Sequence, residues 1–256
     1  MKSTMIKIAL FYIGLCLVLF IMQRKFIYFP QPAGAVSGET EISFDTDGEQ
    51  LNGWVLNKGN VKALLYYGGN AERVEDNIVF FNTVLPDYTV YLIPYRGYGN
   101  STGEPNEDSL YGDALYVFDQ VKAHHQQISL MGRSLGSGIA TYVAANRQVE
   151  KLILITPYDS IVNVAKGAYW MFPVSLLIKD KFQSIKWVKN ISAKTYIFVA
   201  ENDKVIPRER SEQLIAQFTD QLMGSTLVSG AGHNDISLYP EYVTELKKAL
   251  SNNNIK

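Results

Sequence analysis

The sequence predicts an α/β protein: a mostly parallel, twisted sheet with helices on both faces. Three observations lead there. Short apolar runs bounded by turn residues recur at 63–67, 89–93, 128–131, 152–155 and 196–199, as expected of strands buried on both faces. Helical patterns stand between them, and such strand–helix alternation builds parallel sheets. With 256 residues, 47% apolar and 19% charged, the chain can bury a core of that kind.

The chain opens with Met1-Lys2-Ser3-Thr4-Met5-Ile6-Lys7, then an uncharged run over 8–22, then Gln23-Arg24-Lys25-Phe26-Ile27-Tyr28-Phe29-Pro30. Fifteen residues at ~1.5 Å each fall short of a hydrocarbon core ~30 Å thick. With Met5 and Ile6 included, Lys7 snorkelling and Phe26, Tyr28 and Phe29 at the interface, the segment can span. A cleaved signal peptide is the competing reading. Ala33-Gly34-Ala35 has the small-x-small form, but Arg24 and Lys25 separate it from the apolar run. Leu15 before Cys16 does not fit a lipoprotein signal, and no amphipathic face marks a buried core helix. Residues 1–30 are therefore read as an uncleaved membrane anchor and juxtamembrane segment. Residues 31–256 are read as one folded domain, with a cap insertion at about 157–191. Lys2, Lys7 and the α-amine slightly outweigh Arg24 and Lys25, which points to an inside N-terminus and an extracytoplasmic domain.

From Glu39 the pattern turns to short strands. Ile42 and Phe44 alternate, Asp47-Gly48 reads as a hairpin turn, and 51–56 forms the return strand. The buried strand 63–67 ends in Gly68-Gly69-Asn70-Ala71-Glu72, followed by a helix over 74–84 and a strand over 89–93. Next comes Pro94-Tyr95-Arg96-Gly97-Tyr98-Gly99-Asn100-Ser101-Thr102-Gly103-Glu104-Pro105. Its glycines and proline argue a fixed path beside a site, against the alternative of an ordinary surface turn. A helix over 108–125 follows, with His124 and His125 read as capping its C-terminus. Past 152–155 the segment 161–191 breaks the alternation and is rich in Tyr169, Trp170, Met171, Phe172, Leu176, Leu177, Phe182 and Trp187. It reads as a small helical cap whose apolar side chains line an acyl pocket or simply pack as core. The alternation resumes with strands at 196–199 and 226–228 and helices at 208–218 and 241–250.

Between 128 and 138 runs Ile-Ser-Leu-Met-Gly132-Arg133-Ser134-Leu135-Gly136-Ser137-Gly138. A strand that turns at once into a helix strains the middle residue, and only glycines two before and two after leave room. Ser134 is thereby lifted to the top of the sheet, where the helix N-terminus faces developing negative charge. A serine nucleophile needs a base, an acid to orient the base, and N–H donors for an oxyanion. His233, in the Gly-flanked loop 230–235, is the candidate base. Asp203, past the preceding strand, is the candidate acid, with Glu201 and Asp235 as rivals. The N–H of Leu135 and that of Asn70 are the candidate oxyanion donors, Gly68 and Gly69 giving the backbone room to approach.

Net charge is −1, from 24 basic and 25 acidic residues, so no nucleic-acid partner is expected. One cysteine, Cys16, leaves no internal disulfide and no cysteine zinc site, and three histidines are too badly spaced for a metal centre. Cofactor-free chemistry is the expectation.

On these residues the chain resembles the α/β-hydrolase superfamily, and within it the membrane-anchored group similar to BEM46 and the ABHD13/ABHD17-type proteins. The resemblance rests on 24–30 after the anchor, Gly69-Asn70-Ala71, Tyr95-Arg96-Gly97-Tyr98-Gly99, Gly132-Arg133-Ser134-Leu135-Gly136, Asp203-Lys204-Val205-Ile206-Pro207 and Gly232-His233. It implies Ser134 as nucleophile, Asp203 as acid, His233 as base, and Asn70 with Leu135 as oxyanion donors. It also implies a serine hydrolase that cleaves carboxylic esters or thioesters through an acyl-enzyme, on lipidic or acylated substrates. A peptidase-like hydrolase, an acyltransferase and a non-catalytic membrane binding module are the alternatives. One departure stands out: many relatives have His where this chain has Gly68.

Overall fold

An eight-stranded sheet in the order β1-β2-β4-β3-β5-β6-β7-β8 organises the chain in the computed structural model, which describes residues 2–251. The helix α1 (Lys2–Ile27) comes first. Its 26 residues are long and apolar enough to cross a membrane, and this single N-terminal apolar helix fits a membrane anchor. None of its residues is fully buried, but Cys16, Leu19, Phe20, Gln23 and Ile27 are half-covered. They recur at helical spacing and form one stripe turned towards the rest of the chain.

β1 (Thr40–Thr46) and β2 (Glu49–Leu56) form an antiparallel hairpin. Asp47 and Gly48 turn it with φ of 50° and 78°, the left-handed pair that matches the twist of a two-residue hairpin. β3 (Lys62–Tyr67) follows, then one turn of 3₁₀ helix (Val74–Asn77), α2 (Ile78–Val84) and β4 (Tyr88–Leu92). The helix expected over 74–84 is thus a 3₁₀ turn running into a short α-helix. α3 (Glu107–Lys122) carries a capping box in which Asn106 and Ser109 satisfy each other's backbone N–H groups. It ends before the two histidines expected to cap it. His125 Nε2 instead meets the Tyr91 hydroxyl at 2.9 Å, so a side-chain partner on the sheet overrides the dipole preference.

β5 (Gln127–Arg133), α4 (Leu135–Asn146) and β6 (Lys151–Ile155) complete the centre of the sheet. α5 (Ile161–Ala168) and α6 (Val174–Leu177) make the cap, and two 3₁₀ turns lead to β7 (Lys194–Ala200). α7 (Arg208–Ile215), β8 (Leu222–Val228) and α8 (Pro240–Ser251) close the fold. β2 runs antiparallel to β4, and from β4 to β8 every pairing is parallel.

Alternate residues of β3 feed two cores. Ala63, Leu65 and Tyr67 pack with α3 and α4, and Leu64 and Tyr66 pack with α2 and α8, which is why these strands read as continuous apolar runs. The connections reverse direction around β3. The chain leaves β3 for β4 on one side and returns as β5 on the other, with Tyr67 beside Gly132. Such a switch point opens a crevice beyond the strand ends. The loop 68–70 and Ser134 both emerge there.

Candidate active site

Ser134 joins β5 to α4 with φ 50° and ψ −119°, a strained conformation that the surrounding structure must impose. Two glycines make it possible. A Cβ on Gly132 would overlap the carbonyl of Gly136, and one on Gly136 would overlap the carbonyl of Tyr67. Ser134 N donates to Ile155 O at 2.9 Å, tying the turn to β6. The hydroxyl of Ser137 and its N–H both bond the Ser134 carbonyl, fixing the first turn of α4.

His233 Nε2 lies 2.9 Å from Ser134 Oγ, and its Nδ1 lies 2.7 Å from Asp203 Oδ2. These two bonds run in series if the ring proton sits on Nδ1, leaving Nε2 to accept the serine proton. The other oxygen of Asp203 accepts from the N–H groups of Val205 and Ile206, both at 2.8 Å, so the carboxylate cannot swing. The rival acids are engaged elsewhere. Glu201 accepts from Gly230 N at 2.8 Å and from the Ser229 hydroxyl at 3.0 Å, and these bonds hold its pKa below the usual range. Asp235 accepts from Gly232 N at 2.6 Å. Both brace the histidine loop, and neither meets the imidazole.

Asn70 and Leu135 border the same cavity as Ser134. Leu135 opens α4, so its N–H is among the unbonded donors of a helix start. A Cβ on Gly69 would lie 3.8 Å from Ser134 Cβ, so this loop passes directly over the serine. At Gly68, a Cβ would lie 2.8 Å from Val74 Cγ1; the valine occupies the space into which a histidine would grow.

Two further residues, Glu72 and Arg133, hold this loop and a third, Tyr158, braces the start of α4; the sequence alone gives none of them a role. Glu72 takes Gly69 N at 2.7 Å on one oxygen, and Tyr66 Oη at 2.6 Å with Asn77 Nδ2 at 2.7 Å on the other. Arg133, next to the nucleophile, meets Glu72 at 3.5 Å and donates to the His233 carbonyl at 3.2 Å. Burial opposes the guanidinium charge, but Glu72 and Tyr66 beside it outweigh that and raise its pKa. Tyr158 donates to Leu135 O at 3.0 Å from beneath α4. The glycine-rich loop after β4 also lies at the site. Tyr95 Oη donates to Gly68 O and Tyr98 Oη to Asn70 O, each at 2.7 Å. Arg96, paired with Asp113 on α3 at 2.7 Å, pins that loop in turn.

The cavity over Ser134 has a volume of ≈ 240 Å³. Its walls are Ile161 and Val164 of α5, Val174 and Leu177 at α6, and Leu19, Phe26 and Ile27 of α1. With Gln23, four of the residues that enclose it thus belong to the N-terminal helix. Among the described residues, no group of three or more His, Cys, Asp or Glu side chains is arranged to hold a metal.

No protein-family model matches the chain. Uncharacterized protein Rv2307c of Mycobacterium tuberculosis is 30% identical over 250 residues, covering 90% of this chain and 87% of that protein. Lysophosphatidylserine lipase ABHD12 of Macaca fascicularis is 34% identical over 174 residues, covering 59% of this chain and 44% of the lipase. Among solved structures, the Pyrococcus furiosus esterase Pf2001 superposes with a TM-score of 0.70 at 15% identity, covering 88% of this chain and 96% of its own. Est1E of Butyrivibrio proteoclasticus superposes at 0.66 with 19% identity, covering 82% and 100%.

Proposed function

The chain belongs to the α/β-hydrolase superfamily, and from that premise we propose that it is a serine hydrolase of lipidic acyl esters or thioesters. Ester hydrolysis as such is supported by the fold and by relatives named as lipases. The observation behind the finer reading is the relay from Ser134 through His233 to Asp203, at 2.9 and 2.7 Å, opening into an apolar cavity.

In this reading His233 Nε2 takes the Ser134 proton as Oγ attacks the acyl carbonyl. Charge grows on the carbonyl oxygen, and the N–H groups of Leu135 and Asn70 receive it. The imidazolium, steadied by Asp203, protonates the departing alcohol or thiol. Water, activated by the same imidazole, then releases the acid from Ser134. Each methylene of the acyl chain seated among Leu19, Val164 and Leu177 adds about 0.8 kcal/mol of burial at most, so discrimination between neighbouring chain lengths is modest.

Labelling with a fluorophosphonate is the first test, and hydrolysis of phospholipid esters in vesicles by separate, unlabelled protein is the second. Wild type is expected to label, and Ser134→Ala and His233→Ala are expected not to; turnover should fall by at least ~10⁴ in Ser134→Ala. Folded wild type that neither labels nor turns over any ester would end the serine-hydrolase reading. We also propose that the catalytic domain is extracytoplasmic, the placement expected above from the slight excess of positive charge before the apolar run. Protease digestion of intact cells should then cut the domain, and digestion only after lysis would reverse that topology.

A further inference from the structure

We propose that the cap is embedded in the bilayer leaflet that surrounds the C-terminal half of α1, and that the space between cap and helix is a side port through which an acyl chain passes from lipid to Ser134. The port rests on the hydrolase reading above, but the embedding does not.

The first observation is a stretch of surface that suits lipid better than water. Between Ser160 and Ile178 the chain carries one charge, Lys166. Trp170 is 78% exposed, Met171 60% and Leu176 83%. An exposed apolar patch of this kind marks a contact surface.

What covers the patch follows from how the cap sits on α1. Tyr12 Oη donates to the Met171 carbonyl at 2.7 Å, and the Tyr12 ring stacks on Phe172 at 5.8 Å. Gln23 Nε2 donates to Leu177 O at 3.0 Å, and its Oε1 accepts from Lys179 N at 2.6 Å. Tyr12 lies within the uncharged run of α1, eleven residues from Gln23, or about 16 Å along the helix. The cap therefore runs beside the spanning segment for about half of a ~30 Å hydrocarbon core. If α1 is in lipid to that depth, the tip of the cap is in lipid too.

The polar groups are arranged for that setting. Backbone in hydrocarbon must find partners within the protein. Tyr12 and Gln23 both supply them to the cap backbone, and Pro173 at its turn has no N–H to satisfy. Charges collect at the level of Gln23. Arg24 pairs with Asp180 at 3.1 Å, and Lys179 Nζ sits 4.3 Å from the centre of the Phe20 ring. Lys25 and Lys181 lie at the same level, a cationic collar suited to head groups. Lys166 is exposed, and its four-carbon stem is long enough to snorkel towards a polar layer. The cavity itself lies between the two embedded parts, with Leu19 on one wall and Val164, Phe172 and Leu177 on the other.

Full-length protein in phosphatidylcholine vesicles tests both parts. In a Cys16→Ala background, Trp170→Cys, Leu176→Cys and Lys58→Cys each carry an environment-sensitive fluorophore. Lys58 lies in the turn before β3, at the opposite end of the strands from Ser134. Labels at 170 and 176 are expected to be quenched by doxyl groups on lipid acyl chains and shielded from aqueous iodide, and the label at 58 the reverse. If 170 and 176 behave like 58, or are shielded from both quenchers as in a protein contact, the embedding is overturned. For the port, Trp170→Glu with Leu176→Glu is expected to slow hydrolysis of a long-chain ester held in vesicles by tenfold or more. A water-soluble short-chain ester should be cleaved as fast as by wild type. Equal losses on both esters, or none on either, overturn the port. A wild type inactive on every ester instead refutes the hydrolase reading and the port with it, and the quenching result still decides the embedding.

Discussion

Glu72 is the residue whose replacement most directly tests how the site is held together. Tyr66, Asn77, Gly69 and Arg133 converge on its two oxygens. The side chains of Glu72 and Arg133 are 12% and 16% exposed, so water screens the pair only weakly. Glu72→Ala leaves Arg133 charged and largely desolvated. Removing one partner of such a pair costs about 3–5 kcal/mol. The lower end applies because Arg133 keeps the His233 carbonyl and Asn234 as acceptors. For a domain of this size that is a fall of about 6–12 °C in Tm. Glu72→Gln loses the same charge but can keep its oxygen towards Gly69 and Arg133 while Tyr66 and Asn77 reorient as acceptors, so its cost is smaller, about 1–3 kcal/mol. Adding Arg133→Met to Glu72→Ala removes the stranded charge and should return about 1–2 kcal/mol. Thermal unfolding of the full-length protein in detergent, followed by tryptophan fluorescence, gives the order of midpoints. The rate of fluorophosphonate labelling reports whether the loop over Ser134 has moved. Equal midpoints for Glu72→Ala and Glu72→Gln, or no recovery in the double variant, would refute the assignment of Glu72 as the common tether.

Asp203→Asn keeps an oxygen for Val205 and Ile206 but turns an N–H towards His233, which favours the wrong tautomer; turnover of a soluble ester should fall by about 10⁴ with Tm little changed. Tyr98→Phe removes the donor to Asn70 O and should cost about 0.5–1.5 kcal/mol, read as a drop in Tm and slower labelling. Gly136→Ala drives a methyl into the Tyr67 carbonyl and should lower both expression and Tm beyond any effect of Gly112→Ala, where nothing lies within 4 Å. Burial raises the pKa of Glu107, which accepts the N–H groups of Lys181 and Phe182 at the base of the cap. The folded protein therefore holds that proton more tightly than the unfolded chain. This contribution favours folding at low pH and is lost as pH rises from the ordinary carboxylate range through the raised value. Stability curves of wild type and Glu107→Gln between pH 4 and 8 should diverge in that sense.

The strand–helix alternation was legible because strands buried on both faces leave uninterrupted apolar runs, and Gly132 and Gly136 announce the turn at Ser134 through a steric need that no other residue meets. The tether at Glu72 was not legible. In sequence it is one acid in a polar loop, and its partners Tyr66, Asn77 and Arg133 come from a strand, a 3₁₀ turn and another strand. The loop after β4 read as lying beside a site, yet only the folded chain gives Tyr95 and Tyr98 their acceptors at Gly68 and Asn70. α1 hid its role for the opposite reason. A helix that is apolar all round has no periodicity from which to read which stripe meets the cap. His125 went to Tyr91 rather than to the helix end, a choice made by tertiary neighbours.

Leu19, Phe26 and Ile27 belong both to the pocket wall and to the apolar helix that we propose lies in the bilayer, and this sets the dimension in which substrate is counted. An acyl chain of sixteen carbons drawn through water would lose about 0.8 kcal/mol per methylene, about 12 kcal/mol in all. One that slides from the leaflet into a cavity bordered by a membrane helix stays among hydrocarbon throughout. Encounter is then two-dimensional. Rate follows the mole fraction of ester within the protein's own membrane, not its bulk concentration, and diluting the vesicles leaves turnover unchanged where diluting the ester with inert lipid does not.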